Sequence, residues 1–202
     1  MCFHRFSFSV INSFLRFFFN CKSKMEKDIS YSNVYKPELR KKNMITPAQK
    51  FLKDNKIPFK EYEYECTVDH DFGKFAAHSL GLDEARVFKT ILLVHDKTFV
   101  TAVTPVDSMI SLKNAARIMK LKSLDVATPN DATRITGYVI GGVSPFGQKR
   151  RTLTLLSESA MQFEEILVSG GRRGLSVGVN PKDLVKILNA TVGDFLEHKD
   201  KK

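Results

Sequence analysis

The chain has 202 residues, with 32 Lys+Arg against 22 Asp+Glu, a net charge of +10 and a pI near 9.5. That length buries a sizeable core without metal or disulfide support, and the basic balance permits a polyanionic partner, nucleic acid or an anionic membrane surface. Only Cys2, Cys21 and Cys66 are present, which offers no disulfide framework and points to a reducing, cytoplasmic setting; no run of about 18 uncharged apolar residues exists, which argues against a spanning helix.

Residues 1–43 differ from the rest. Phe3, Phe6, Phe8, Phe14, Phe17, Phe18 and Phe19 crowd the start, and Lys and Arg dominate the remainder up to Asn43. The simplest expectation is a basic, Phe-rich extension outside the fold, with Met25 or Met44 as the natural start. A targeting segment competes with it, as does an amphipathic membrane-surface helix, on which Phe14, Phe17 and Phe18 share a face.

From Met44 the signals become those of a folded domain. Thr46-Pro47 is an N-cap and first-turn pair, and Ala48, Phe51 and Leu52 follow at helical spacing until Asn55 and Pro58. A strand is predicted over 59–65 and a second helix from Phe75 through Leu80, ending near Gly81. Val87 to Val94 and Thr98 to Val103 are apolar, β-branched runs around a turn at His95, Asp96 and Lys97, the pattern of a hairpin. Ser111 caps a third helix through Leu121, Leu124 to Ala127 is a short strand, and Pro129 opens a fourth helix. Tyr138, Val139 and Ile140 read as a strand, as do Thr152 to Leu156, Ile166 to Val168 and Leu175 to Val179. Asn180-Pro181 caps a closing helix. Strands and helices in mixed order, without βαβ alternation, predict an α+β fold with a curled antiparallel or mixed sheet.

Two glycine stretches carry the chemical signal. Gly137 to Arg151 places paired glycines, a Ser-Pro turn, Gly147 and then Lys149, Arg150 and Arg151 in one loop, and Ser169, Gly170, Gly171, Arg172, Arg173 and Gly174 repeat the arrangement. Glycines alone permit bulges and turns, and cation runs alone make a solvated face. Together they describe a bare backbone beside positive charge, suited to an ester or phosphodiester. Lys89 interrupts the apolar run Val87 to Val94 on the face of Val87 and Ile91; if that face is interior, the ammonium needs an anionic or carbonyl partner. His70, His78 and His95 sit beside no Gly-x-Ser-x-Gly elbow, so no hydrolytic triad is visible. Cys66, His70 and His78 match no compact zinc spacing, and no metal or other cofactor is expected.

Thr46-Pro47, Val87-Phe88-Lys89-Thr90, Thr104-Pro105, Gly137-Tyr138 through Gly147-Gln148, and Ser169 through Leu175 together resemble the YbaK/ProX family, free-standing relatives of the editing domain of bacterial prolyl-tRNA synthetase. The likeness places an editing domain over 44–198 with a charged tail at 199–202, and is greatest to the YbaK branch of Cys-tRNA(Pro)/Cys-tRNA(Cys) deacylases. It implies a mixed β-barrel of about six or seven strands with flanking helices. It also implies that Lys89 holds the 3′-adenosine phosphate or the ester, and that Tyr64, Phe72 and Thr90 line the pocket. Gly142, with Gly141 and Ser144, would turn backbone towards the ester carbonyl, and Ser169, Gly170 and Gly171 would close the other side. Lys149, Arg150, Arg151, Arg172 and Arg173 would meet tRNA phosphates. Ser176 stands where many of the family carry an acidic residue.

The activity so implied is removal of cysteine from Cys-tRNA(Pro) and Cys-tRNA(Cys), with tRNA-Pro, tRNA-Cys and a prolyl- or cysteinyl-tRNA synthetase as partners. In that branch the substrate's own thiol attacks its ester, a lyase step if a thiolactone is released and a hydrolase step otherwise. Two other readings stay open: a deacylase of another small ester such as Ala-tRNA(Pro), and a non-catalytic tRNA- or synthetase-binding module.

Overall fold

A computed structural model of the protein describes residues 44–197. The expected extension at 1–43 and the charged tail at 199–202 lie outside the described residues, as does residue 198. Helix α1, Pro47–Asp54, begins where the sequence places it: Thr46 adopts an extended conformation, its hydroxyl accepts from the Gln49 N–H, and the Gln49 side chain returns a bond to the Thr46 N–H. Strand β1 is Phe59–Glu63, and α2, Phe72–Leu80, ends on Gly81 in a left-handed conformation. The hairpin is β2, Phe88–His95, with β3, Thr98–Pro105, paired in one register along its length. Helix α3, Leu112–Ile118, takes its cap from Ser111; β4 is Asp125–Val126, and α4, Pro129–Thr136, is capped by Thr128. Strands β5 (Leu153–Ser157), β6 (Ile166–Arg172) and β7 (Leu175–Val179), helix α5 (Pro181–Leu188) and β8 (Thr191–Gly193) complete the described order.

The strands form two sheets, ordered β1-β7-β6 and β4-β2-β3-β5-β8. The first is antiparallel; in the second, β3 pairs parallel with β5 and β5 parallel with β8. A bridge between Val87 and Leu167 joins them at the start of β2. The α+β class and curled mixed sheet expected from the sequence are present, although the curl does not close into a barrel. The main core lies where α1, α5 and Phe146 pack on β3, β6 and β7, with Leu52, Ile166, Val177, Leu184 and Phe146 fully buried. The opposite face of the larger sheet is covered by α3 and Phe195, against Leu93, Val100 and Leu155.

Two local readings are corrected. Tyr138 to Ile140 is not a strand: Gly137, at φ +80°, ends α4, and the chain turns so that Tyr138 is buried while Val139 and Ile140 face solvent. What looked like a strand is an apolar triplet split between core and surface. The second glycine stretch does not follow a strand but belongs to one, because β6 runs through Gly170 and Gly171 to Arg172, with a bulge between Ser169 and Arg172.

Candidate active site

A cavity of about 440 Å³ opens between the start of α2, the first half of β2, the β4–α4 junction and the loop after α4. Its walls include Val87, Phe88, Ile91, Val106, Ala127 and Ala132, so most of the interior is apolar, with polar groups at a few points. Of the residues singled out by the sequence, Tyr64, Phe72, Lys89, Thr90, Gly141 and Ser169 line it.

Lys89 reaches the cavity because β2 alternation turns it off the Phe88 face, which is buried in the main core. It is half-buried, and its ammonium donates to the carbonyls of Ser108 at 2.7 Å and Val106 at 3.3 Å. An ammonium has three donors, so one is left for a ligand. Burial lowers the pKa of Lys89 and nearby Lys74 adds to the effect, with Asp107 and Asp71 opposing. Beside it, the Thr90 hydroxyl is buried without a hydrogen-bond partner, as is that of Thr104. An unpaired hydroxyl in such a place costs on the order of 1–3 kcal/mol.

On the far wall β6 and β7 bring Ser169 opposite Ser176, and both line the cavity. The Ser169 hydroxyl accepts from the Gly171 N–H at 3.3 Å. Tyr64 lies just past β1 with its N–H on the Gly174 carbonyl, and burial raises its phenol while the bond to Ser176 opposes that rise. Helix α2 enters with Asp71, Phe72, Gly73 and Lys74 in the wall. Asp71 is left-handed and gives no side-chain cap, so the first N–H groups of this helix are not satisfied by a capping side chain. Gly73 is needed here for space, since a Cβ on it would fall 2.4 Å from the Val106 side chain.

The glycine loop contributes less backbone to the cavity than the sequence led us to expect. Gly141, at φ +87°, lines it, and a Cβ there would meet the Phe72 ring at 2.8 Å. The Gly142 N–H, expected to face an ester carbonyl, instead donates to the Val139 carbonyl at 2.9 Å, and Gly142 packs its Cα side on the Arg172 backbone. Ser144 is fully buried outside the lining, where its hydroxyl accepts from the Phe146 N–H. Gly170 and Gly171 also stand behind the wall: Gly170 packs on Leu175 and accepts the Thr46 hydroxyl, and Gly171 packs on Tyr138 and Thr46. These glycines allow backbones to approach one another, a role that spacing does not separate from ligand contact.

The cations divide into two groups. Arg172 pairs with Glu63 at 2.7 Å, and Arg173 donates from Nε to the Ile140 carbonyl while its guanidinium lies 4.6 Å over Phe72. Lys149, Arg150 and Arg151 lie at the other end of the loop, where the Lys149 and Arg150 N–H groups bond Thr136 and Ile135; Arg150 sits 6.0 Å over Phe99. No carboxylate pairs with these three among the described residues. Asp71, Gly73, Lys74 and Val106 were not singled out by the sequence. The glycine at the start of a helix was the available signal for Gly73; nothing local marks the others.

Residues 74–187 match the family model of the aminoacyl-tRNA editing domain. The chain is 36% identical over 159 residues, 78% of its own length and 95% of the other's, to a protein of Enterococcus faecalis (strain ATCC 700802 / V583) named "Putative Cys-tRNA(Pro)/Cys-tRNA(Cys) deacylase EbsC". The fold is similar to two solved structures. One, titled "Crystal structure of a putative trans-editing enzyme for prolyl tRNA synthetase", has a TM-score of 0.66 at 24% identity, covering 75% of this chain and 96% of that one. The other, the hypothetical protein APE2540, has a TM-score of 0.68 at 20% identity, covering 75% and 99%.

Proposed function

Because the chain belongs to the aminoacyl-tRNA editing domain family, we propose that it removes cysteine from mischarged Cys-tRNA(Pro), and from Cys-tRNA(Cys), in the cytoplasm. The name of the Enterococcus relative supports the substrate class. The observation that carries the mechanism is the composition of the cavity wall: its ionisable groups are Tyr64, Asp71, Lys74 and Lys89, with no histidine or cysteine to serve as an activated nucleophile.

Ester cleavage then rests on a nucleophile that the substrate brings. The cysteinyl sulfur attacks the ester carbonyl, a C–S bond forms, the C–O bond to the terminal ribose breaks, and the thiol proton leaves with the ribose hydroxyl. The product is a thiolactone, which water opens. Lys89 supplies its remaining donor to the ester oxygen or the adjacent phosphate, and Thr90 forms part of the wall. The apolar wall keeps water from competing. Holding thiol and carbonyl in contact is worth an effective molarity on the order of 10⁵ M or more in well-oriented cases. Lys149, Arg150 and Arg151 meet phosphates of the tRNA body, and a prolyl- or cysteinyl-tRNA synthetase supplies part of the tRNA choice.

The test is the decay of Cys-tRNA(Pro), Cys-tRNA(Cys) and Ala-tRNA(Pro), each with and without the protein. Loss of the cysteinyl esters alone supports the proposal. Loss of the alanyl ester, which has no thiol, overturns the thiol-assisted route, and survival of all three leaves a tRNA-binding module.

A further inference from the structure

Arg172 and Arg173 are adjacent, exposed and basic, and the sequence groups both with the cations of a phosphate-binding surface. The geometry gives Arg173 partners within the fold as well. Its Nε donates to the Ile140 carbonyl at 2.9 Å, and its guanidinium covers the Phe72 ring at 4.6 Å. The other side of the contact is equally close: Phe72 lies against Gly141 so tightly that a Cβ there would stand 2.8 Å from the ring. Ile140, Gly141 and Phe72 all line the cavity.

Three segments distant in sequence therefore meet at the cavity wall through one side chain. The β6–β7 turn provides Arg173, the start of α2 provides Phe72, and the loop after α4 provides Ile140 and Gly141. A planar guanidinium suits this arrangement, because its face stacks on an aromatic ring while its edge donates in-plane. Ile140 belongs to a loop that is not a strand, its neighbour Val139 faces solvent, and the Gly142 N–H closes the turn on the Val139 carbonyl.

We propose that Arg173 is a positioning residue that latches the Ile140–Gly141 loop and Phe72 together at the wall of the substrate cavity. The proposal rests on the deacylase reading for its kinetic consequence and on the structure alone for its mechanical one. A latch and a phosphate contact respond differently to three changes. Cysteinyl-adenosine, esterified on the ribose and lacking every phosphate, gives a phosphate contact nothing to lose. Arg173→Lys keeps a charge for phosphate but lacks the fork that stacks and donates together. Hydrogen exchange in residues 138–143 reports the loop whether or not any ester is cleaved.

The expected result is that Arg173→Ala and Arg173→Lys both lower kcat on cysteinyl-adenosine by on the order of ten- to a hundredfold, with little change in KM. Amides of 138–143 should exchange faster by about tenfold in both variants at an unchanged Tm. Phe72→Leu added to Arg173→Ala should cost no more than the worse single change, because the two act as a unit. Normal turnover of cysteinyl-adenosine by Arg173→Ala, full rescue by Arg173→Lys, or unchanged exchange in the loop overturns the latch. If wild-type protein cleaves neither ester, the deacylase reading fails, and the exchange comparison still decides the latch.

Discussion

Lys89 shows how much a single position discloses. Its signal in the sequence is a charge inside an apolar strand, and the structure gives the physical counterpart: a half-buried ammonium with two carbonyl partners and a lowered pKa. A base whose folded pKa lies below its unfolded one binds fewer protons in the folded state. The burial penalty is present in full while both states are protonated, and it fades as the pH rises from the folded pKa through the ordinary lysine value of 10.5. The lowered pKa therefore makes burial of the Lys89 charge a cost at neutral pH, set against its two carbonyl bonds. Lys89→Met should reduce deacylation by on the order of 10² or more, as loss of one charge-stabilising donor does. It should also leave Tm at pH 7 equal to or above that of the wild type and flatten the rise in stability on the alkaline side. A clear fall in Tm would show the ammonium to be a structural clasp for the Val106–Ser108 turn. The unpaired Thr90 hydroxyl and the place of Lys74 carry no such mark in the sequence, since each acquires its meaning from residues distant along the chain.

Elements were legible where local chemistry decides them. The caps at Thr46, Ser111 and Asn180 and the hairpin turn at Asp96 all rest on contacts within a few residues, whereas the Thr128 cap of α4 was not singled out by the sequence. Tyr138 to Ile140 was misread because three apolar residues in a row do not say which of them is buried; Gly137 at positive φ settles it. Thr46 joins the local and the distant, because its hydroxyl accepts from Gln49 and also donates to the Gly170 carbonyl at 2.6 Å. The N-cap was readable, and the bond across to β6 was not. Thr46→Ala should cost on the order of 1–2 kcal/mol of stability from the lost cap and the orphaned carbonyl. Chemical denaturation read against Thr46→Ser, which keeps both bonds, measures it. A cost no larger than a few tenths would mean that α1 is held by Leu52 and Phe146 alone.

At the scale of the molecule, the mixed α+β class followed from the order of elements, whereas the sheet topology did not. The parallel pairing of β3 with β5 and β5 with β8 joins segments far apart in sequence, and three-residue β8 has too little pattern to be seen. The same distance effect redistributes the +10 charge. Read linearly, Lys149 to Arg151 and Arg172 to Arg173 form two equivalent basic runs. Folded, Arg172 pairs with Glu63, Arg173 keeps its charge while bonding the Ile140 carbonyl and covering Phe72, and Lys149, Arg150 and Arg151 pair with no carboxylate among the described residues. On the proposed deacylase reading, the electrostatic share of tRNA binding is expected on the second half of the glycine loop. Replacing Lys149, Arg150 and Arg151 together by Ala should raise KM for charged tRNA several-fold at physiological salt. It should also reduce the slope of log affinity against log salt by about 2 to 3, since each phosphate contact contributes roughly 0.7–0.9. Arg172→Ala should move that slope little, because its charge is already balanced by Glu63. An equal loss of slope in the two variants would mean that the Glu63 pair opens when tRNA binds and that both runs read the phosphate backbone.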